Sequence, residues 1–194
     1  AVMPRFKHVI LDRDGVLNED GPGGYVTEPS QWKWMPGALD ALSILVRAGI
    51  CLSIATNQSC VGRGIIDMAG LDRVHGKMAA DAARQGIYFD GIYYCPHRPE
   101  AGCRCRKPLP GLLEMAIRKT GISAIETVFI GDAATDLQCA RAAGITAWMV
   151  RTGKGKDTEM MPRQGKIPRI VSADIRVFDD LTRVTDAVFP DGTV

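Results

Sequence analysis

Short apolar runs alternate with segments of helical apolar spacing along most of the chain. The first run, His8–Leu11, ends abruptly in Asp12, Asp14 and Gly15. An uninterrupted run of that length predicts a buried strand of a parallel sheet. Comparable runs at 50–55, 89–94, 127–131 and 147–150 predict further strands. Between them, Pro36 opens a helix in PGALDALSILVRAG that Gly49 stops. Amphipathic helices are predicted over about 68–85, from near Pro110 to about 119, and over 137–143 with Gly144 as the stop. Residues 169–171 are a candidate edge strand, and 179–189 a closing amphipathic helix. The segments EDGPGGYVTEPSQW (19–32) and RTGKGKD (151–157) read as loops, and MMPRQGKIP as a linker. Strands alternating with helices predict an α/β fold built on a parallel sheet.

Composition narrows the picture. With 194 residues, 46% hydrophobic and 24% charged, the chain suits one globular domain over 1–194, with a C-terminal strand and helix extension at about 165–190. A net charge of +2 with scattered basic residues gives no case for nucleic acid. The two basic clusters, Arg104–Lys107 and Arg151–Lys156, fit a small anionic ligand better than a polymer. No run approaches transmembrane length and no secretory pattern opens the chain, so a cytoplasmic protein without membrane partners is expected.

Candidate chemistry gathers at predicted strand ends, where parallel sheets bind ligands. Asp12 and Asp14, at i and i+2, would face that crevice together, and a divalent cation is the usual remedy for such crowding. Taken alone they also suit a charged turn. The strand at 127–131 delivers Asp132 to the same edge, which is much stronger evidence than either strand alone. Asp136, one helical turn on, suits either a pair with a basic loop residue or an anchor for the next helix. The strand at 50–55 ends in Thr56, Asn57, Gln58 and Ser59, whose hydroxyl and amide groups can donate to a phosphoryl group. In the glycine-rich loop, Asp20, Gly24 and Tyr25 are candidate substrate contacts.

Cys95, His97, Cys103 and Cys105 lie within eleven positions in CPHRPEAGCRC. Four nitrogen and sulfur ligands close a tetrahedral zinc site with no open position, which predicts a structural Zn²⁺. Such ligation supplies on the order of 10 kcal/mol or more of apparent folding free energy. Cys51, Cys60 and Cys139 lack such company and read as inert thiols. Arg106 and Lys107 follow the last ligand, so the loop would fix where they point. A lysine held near Asp12 would offset its negative charge and draw in a phosphate.

Together DRDGVLN, the Thr56 strand end, Lys107 and GDAATD resemble the four motifs of the haloacid dehalogenase (HAD) superfamily of phosphatases. CPH and CRCRKP resemble its zinc-loop group. The resemblance implies a Rossmann-like sheet with helices on both faces. The intervals between motifs leave no room for the separate cap domain that many relatives use. Asp12 would be the nucleophile and Asp14 the general acid and then base. Mg²⁺ would sit among Asp12, the Asp14 backbone carbonyl and Asp132, while Thr56 and Lys107 grip the phosphoryl group. Asp20, Gly24, Tyr25 and Arg106 would read the rest of a small phosphorylated sugar. One departure is Ala133, where relatives often carry a basic residue; Arg151 and Lys154 are candidate substitutes. The expected reaction is removal of the 7-phosphate of a heptose 1,7-bisphosphate on the way to nucleotide-activated heptose for lipopolysaccharide, by a monomer. The alternatives are histidinol-phosphate hydrolysis, phosphotransfer to an alcohol, and a non-catalytic zinc-containing binding module.

Overall fold

Strands that are apolar on both faces need cover on both, and the helices divide into two groups that supply it. The computed structural model describes residues 5–166 and 175–189. The strands are β1 (His8–Leu11), β2 (Cys51–Asn57), β3 (Gly91–Cys95), β4 (Thr127–Gly131), β5 (Thr146–Val150) and β6 (Arg176–Phe178). The helices are α1 (Ala38–Arg47), α2 (Met68–Ala83), α3 (Gly111–Thr120), α4 (Ala134–Ala142), α5 (Gly155–Met160) and α6 (Leu181–Val188). All strand pairs are parallel, in the order β3-β2-β1-β4-β5-β6.

Side-chain alternation assigns the faces. Val9, Leu11, Leu52, Ile54, Val128 and Ile130 meet the buried residues of α1, α2 and α6 in one core cluster. Ile10, Ala55, Cys95 and Phe129 meet those of α3 and α4 in the other. The expected Rossmann-like α/β architecture, with helices on both faces, is therefore the observed one. No described helix is long and apolar enough to cross a membrane. Between β1 and β2 the chain holds two short 3₁₀ turns, Pro22–Gly24 and Pro29–Gln31, and α1. Loops therefore bound the crevice there.

The main differences from expectation lie after β5. Residues 151–157 do not form one loop: α5 begins at Gly155, and its buried positions are Gly155 and Thr158. GKDTEM has no apolar periodicity, because this helix is seated by a polar bond from Thr158 Oγ1 to the Asp132 carbonyl (2.7 Å). The candidate strand at 169–171 lies outside the described residues. The strand that joins β5 is at 176–178, with Val150 opposite Phe178.

Strand order reverses between β1 and β4, which run side by side with Leu11 opposite Ile130. That reversal opens a crevice beyond their carboxyl ends. Behind it, Trp148 packs its ring 5.2 Å from both Phe6 and Phe178 and is almost fully buried. Replacing it removes the ring contacts to Phe6 of the N-terminal segment and to Phe178 of β6. Trp148→Ala is expected to cost about 3–5 kcal/mol, read as a lower urea midpoint at unchanged m-value.

Candidate active site

Asp12 directly follows β1, and its backbone N–H donates to the Ile130 carbonyl of β4 (2.9 Å). Asp132 directly follows β4. The neighbouring strand ends thereby bring both acids to one rim of the sheet. Asp12, Asp132 and Asp136 are buried and present carboxylate oxygens within 4.8 Å of one another. Burial and the Asp136 charge push the Asp12 carboxyl well up, Lys107 working the other way. Burial and Asp136 likewise push Asp132 up to about 7, despite the Lys154 N–H on its Oδ2 (2.8 Å). Asp132 is wedged against bare backbone: a Cβ at Gly15 or Gly153 would overlap its Oδ2, and both glycines have positive φ (82° and 56°). Only glycine fits at either position.

Asp136 serves both purposes that its position suggested. Its Oδ2 accepts the N–H groups of Asp132 (3.2 Å) and Ala133 (3.1 Å) at the start of α4, and its Oδ1 accepts Lys107 Nζ (2.6 Å). Lys107 also reaches Asp12 Oδ1 (3.0 Å) and the Ala55 carbonyl (2.9 Å), so its three N–H groups are all engaged. Burial opposes the charge on Lys107, but Asp12 and Asp136 outweigh it and hold the ammonium protonated. With both Asp136 oxygens taken, Asp12 and Asp132 are left to hold a cation. Oxygen ligands with this charge suit a hard ion such as Mg²⁺, whose ligands stand about 2.0–2.1 Å from the metal.

Asp14 has different surroundings. Its Oδ1 accepts from Arg13 Nε (3.2 Å), Arg13 Nη2 (2.8 Å) and Asn18 Nδ2 (2.9 Å), and its Oδ2 from Gln58 Nε2 (2.7 Å). Burial pushes this carboxyl up, but the Arg13 guanidinium and these donors outweigh it and hold it below the usual range. The cleft above the acids has a volume of about 410 Å³. Asp20, Gly24, Tyr25, Thr56, Asn57, Ser59, Arg106 and Lys107 all line it, as do Asp12, Asp14 and Asp132. Tyr25 Oη lies 3.2 Å from Ser59 Oγ, which ties the glycine-rich loop to the end of β2.

Beside this cleft, Cys95, His97, Cys103 and Cys105 converge, their ligand atoms also within 4.8 Å of one another. Cys95 Sγ stands 3.5 Å from His97 Nδ1 and 3.6 Å from Cys103 Sγ, and Cys105 Sγ stands 3.3 Å from His97 Nδ1. A tetrahedron with metal–sulfur bonds of about 2.3 Å has edges a little under 4 Å, so the cluster is able to coordinate a metal. Burial raises the Cys103 thiol, yet the Arg106 N–H and then hydrogen bonds from the Cys95 and Cys105 thiols bring it down to about 6, toward the thiolate a metal needs.

A HAD-hydrolase-like family matches residues 104–182. D-glycero-beta-D-manno-heptose-1,7-bisphosphate 7-phosphatase of Bordetella bronchiseptica is 40% identical over 181 residues, 93% of this chain and 97% of the relative. The Pseudomonas putida enzyme of the same name is 38% identical over 92% of this chain and 97% of the relative. The crystal structure of the B. bronchiseptica D,D-heptose 1,7-bisphosphate phosphatase, complexed with magnesium and phosphate, superposes with a TM-score of 0.85 at 39% identity, covering 94% of this chain and 98% of that one. The chain belongs to the heptose 1,7-bisphosphate 7-phosphatase family. It is a phosphatase of the HAD superfamily.

Within this phosphatase, two expected phosphate contacts lie elsewhere. Gln58 is fully buried beneath the cleft, its amide nitrogen on Asp14 Oδ2 and Thr56 Oγ1 (2.9 Å). Arg151 does not replace the basic residue missing at Ala133, because it is paired with Glu159 (2.8 Å) and Asp179 (2.7 Å). Lys154 does line the cleft. Asn57 holds the Lys107 backbone through its amide oxygen and nitrogen, both at 3.1 Å. Lys107 is thus fixed by β2 as well as by the Cys/His loop. Arg13, His75, Thr152 and Gly153 were not anticipated. Arg13 and His75 could have been suspected only as polar residues at apolar-facing positions.

The raised acids make cation binding pH-dependent. A carboxyl whose folded pKa exceeds its unfolded value stabilises at low pH and loses that contribution as pH rises from about 4 through about 7. A cation that replaces the proton restores it. At pH 8, Mg²⁺ at a hundredfold excess over its Kd is expected to raise Tm by about 5–10 °C. At pH 6 the gain is less than half of that, by thermal melts at matched ionic strength.

Proposed function

We propose that the protein removes the 7-phosphate from D-glycero-β-D-manno-heptose 1,7-bisphosphate through an aspartyl-phosphate on Asp12, and so feeds the making of nucleotide-activated heptose. The observation that carries this reading is the meeting of Asp12, Asp132 and Lys107 in one cleft, in a chain alignable along 97% of a relative named for that reaction. On this reading residues 1–194 are one catalytic domain. It acts as a monomer, in the reducing cytoplasm that thiolate ligands require.

Asp12 Oδ1 is held by Lys107 Nζ (3.0 Å) and by the Arg13 N–H (2.7 Å), which fixes the orientation of the carboxylate that attacks phosphorus. Asp14 gives a proton to the departing sugar oxygen and then takes one from the water that cleaves the aspartyl-phosphate. Thr56 and the β2 end donate to the phosphoryl oxygens. Lys107, with its protons engaged, contributes its charge. Asp12, Asp132 and the Asp14 backbone carbonyl would hold Mg²⁺, which supplies charge neutralisation at the phosphoryl oxygens. Cys95, His97, Cys103 and Cys105 would hold a structural Zn²⁺. Asp20, Gly24, Tyr25, Ser59 and Arg106 would read the sugar, and Arg106 and Lys154 offer cations for its second phosphate.

Phosphate release from both heptose anomers and from histidinol phosphate tests the reading. The β-heptose substrate should exceed histidinol phosphate by at least tenfold in kcat/KM, and Asp12→Asn should lose more than 10³-fold, as expected of a missing nucleophile. Equal rates on the two substrate classes, or an active Asp12→Asn, would refute it. For the zinc loop, Cys103→Ser is expected to lower the bound zinc below one per chain and to reduce Tm, checked by metal analysis and thermal melts.

A further inference from the structure

Arginine is almost never fully buried unless paired, yet Arg13, between the two catalytic acids, is completely enclosed. Its guanidinium lies 5.7 Å from the Trp32 ring and grips Asp14 Oδ1 with two nitrogens. The third nitrogen, Nη1, lies 3.1 Å from Nε2 of His75, a buried residue of α2 whose ring packs 5.6 Å from that of Tyr94. Arginine has no acceptor, so His75 Nε2 must accept. The imidazole is therefore neutral, with its proton on Nδ1. Burial and the Arg13 charge agree, since they push His75 down to about 3.

This chain of bonds has a consequence at the reacting atom. Asp14 Oδ1 already accepts three N–H groups, from Arg13 and Asn18. Its Oδ2 accepts one, from Gln58. The lone pair that remains to carry a proton is on Oδ2, and Asp14 borders the cleft. A guanidinium free to rotate would take two of the three donors from Oδ1 and leave the carboxylate held only by Asn18 and Gln58.

We propose that His75, acting through Arg13, is a positioning residue that fixes which oxygen of Asp14 carries the proton to the leaving group. The proposal rests on the phosphatase reading above. In the step concerned, the bond from the Asp12 carboxylate to phosphorus forms and the bond from phosphorus to the sugar oxygen breaks. The proton on Asp14 Oδ2 passes to that oxygen. Misorienting the donor slows only reactions whose leaving group needs the proton.

The test compares kcat/KM, which reports events through the first phosphoryl transfer, for the sugar phosphate and for an activated ester. That ester is p-nitrophenyl phosphate, or acetyl phosphate if the ring is refused. Both release anions that leave without protonation. His75→Leu should lower kcat/KM on the sugar phosphate by about 10- to 100-fold, while the activated ester changes less than threefold. His75→Gln, whose amide oxygen can accept from Nη1, should recover the sugar-phosphate rate to within about threefold. Should His75→Leu fail to fold, Arg13→Lys keeps the charge without the two-nitrogen grip and should show the same selective loss. Equal losses on both esters, or no loss in a folded variant, would overturn the proposal. A parent inactive on both esters would instead overturn the phosphatase reading itself.

Discussion

A single buried ammonium makes the rest of this site possible. Three carboxylates within 4.8 Å of one another repel by at least about 3 kcal/mol per fully charged pair at an effective dielectric of 20. Lys107 faces two of them at 3.0 and 2.6 Å. One positive charge cannot balance three negative ones, so the arrangement retains a strong demand for a proton or a second cation. That residual demand shows in the upward shifts of Asp12 and Asp132. The Lys107 attraction orders the pocket, and the uncompensated remainder gives it affinity for a hard cation.

Much of the fold serves to hold that charge arrangement still. Asp12 and Asp132 sit on adjacent central strands whose register is fixed from His8–Thr127 to Leu11–Ile130. Asp136 is anchored by the first N–H groups at the start of α4, where a carboxylate is stabilised by the helix terminus. Lys107 is reached from outside the sheet. Its position therefore depends on Asn57 and on the Cys/His loop immediately before it. Gly15 and Gly153 let the β1 and β5 loops close on Asp132, and Thr152 Oγ1 seals them with a bond to the Gly15 carbonyl (2.6 Å).

The parts legible in the sequence are those where a local pattern and its tertiary role coincide. A buried parallel strand must be an apolar run, so β1, β2, β4 and β5 announce themselves, and an acid directly after such a run can only stand at the sheet rim. Four residues able to ligate a metal, crowded into eleven positions, are legible for the same reason. Alternation says nothing about α5, whose seat is the Thr158–Asp132 bond. Composition groups Gln58 with its polar neighbours, but residues just beyond a strand still alternate, and this one turns beneath Asp14. Charge alone makes Arg151 a candidate substitute for the contact missing at Ala133, whereas Glu159 and Asp179 hold it. Long-range polar pairing leaves no periodic trace.

The two acids flanking Arg13 are driven in opposite directions, Asp12 toward the proton and Asp14 away from it. Environments that push neighbouring carboxyls apart are how one site assigns acid and base roles. On the proposed mechanism the resting assignment suits the second half of the reaction, in which Asp14 would be an anion able to take a proton from water. The first half needs Asp14 protonated. A phosphate ester entering the cleft brings negative charge close to Asp14, and like charges raise proton affinity. Arg13 opposes that shift but cannot move, because His75 and Trp32 confine it. On that mechanism the proton needed on Asp14 is favoured by a bound ester and disfavoured without it.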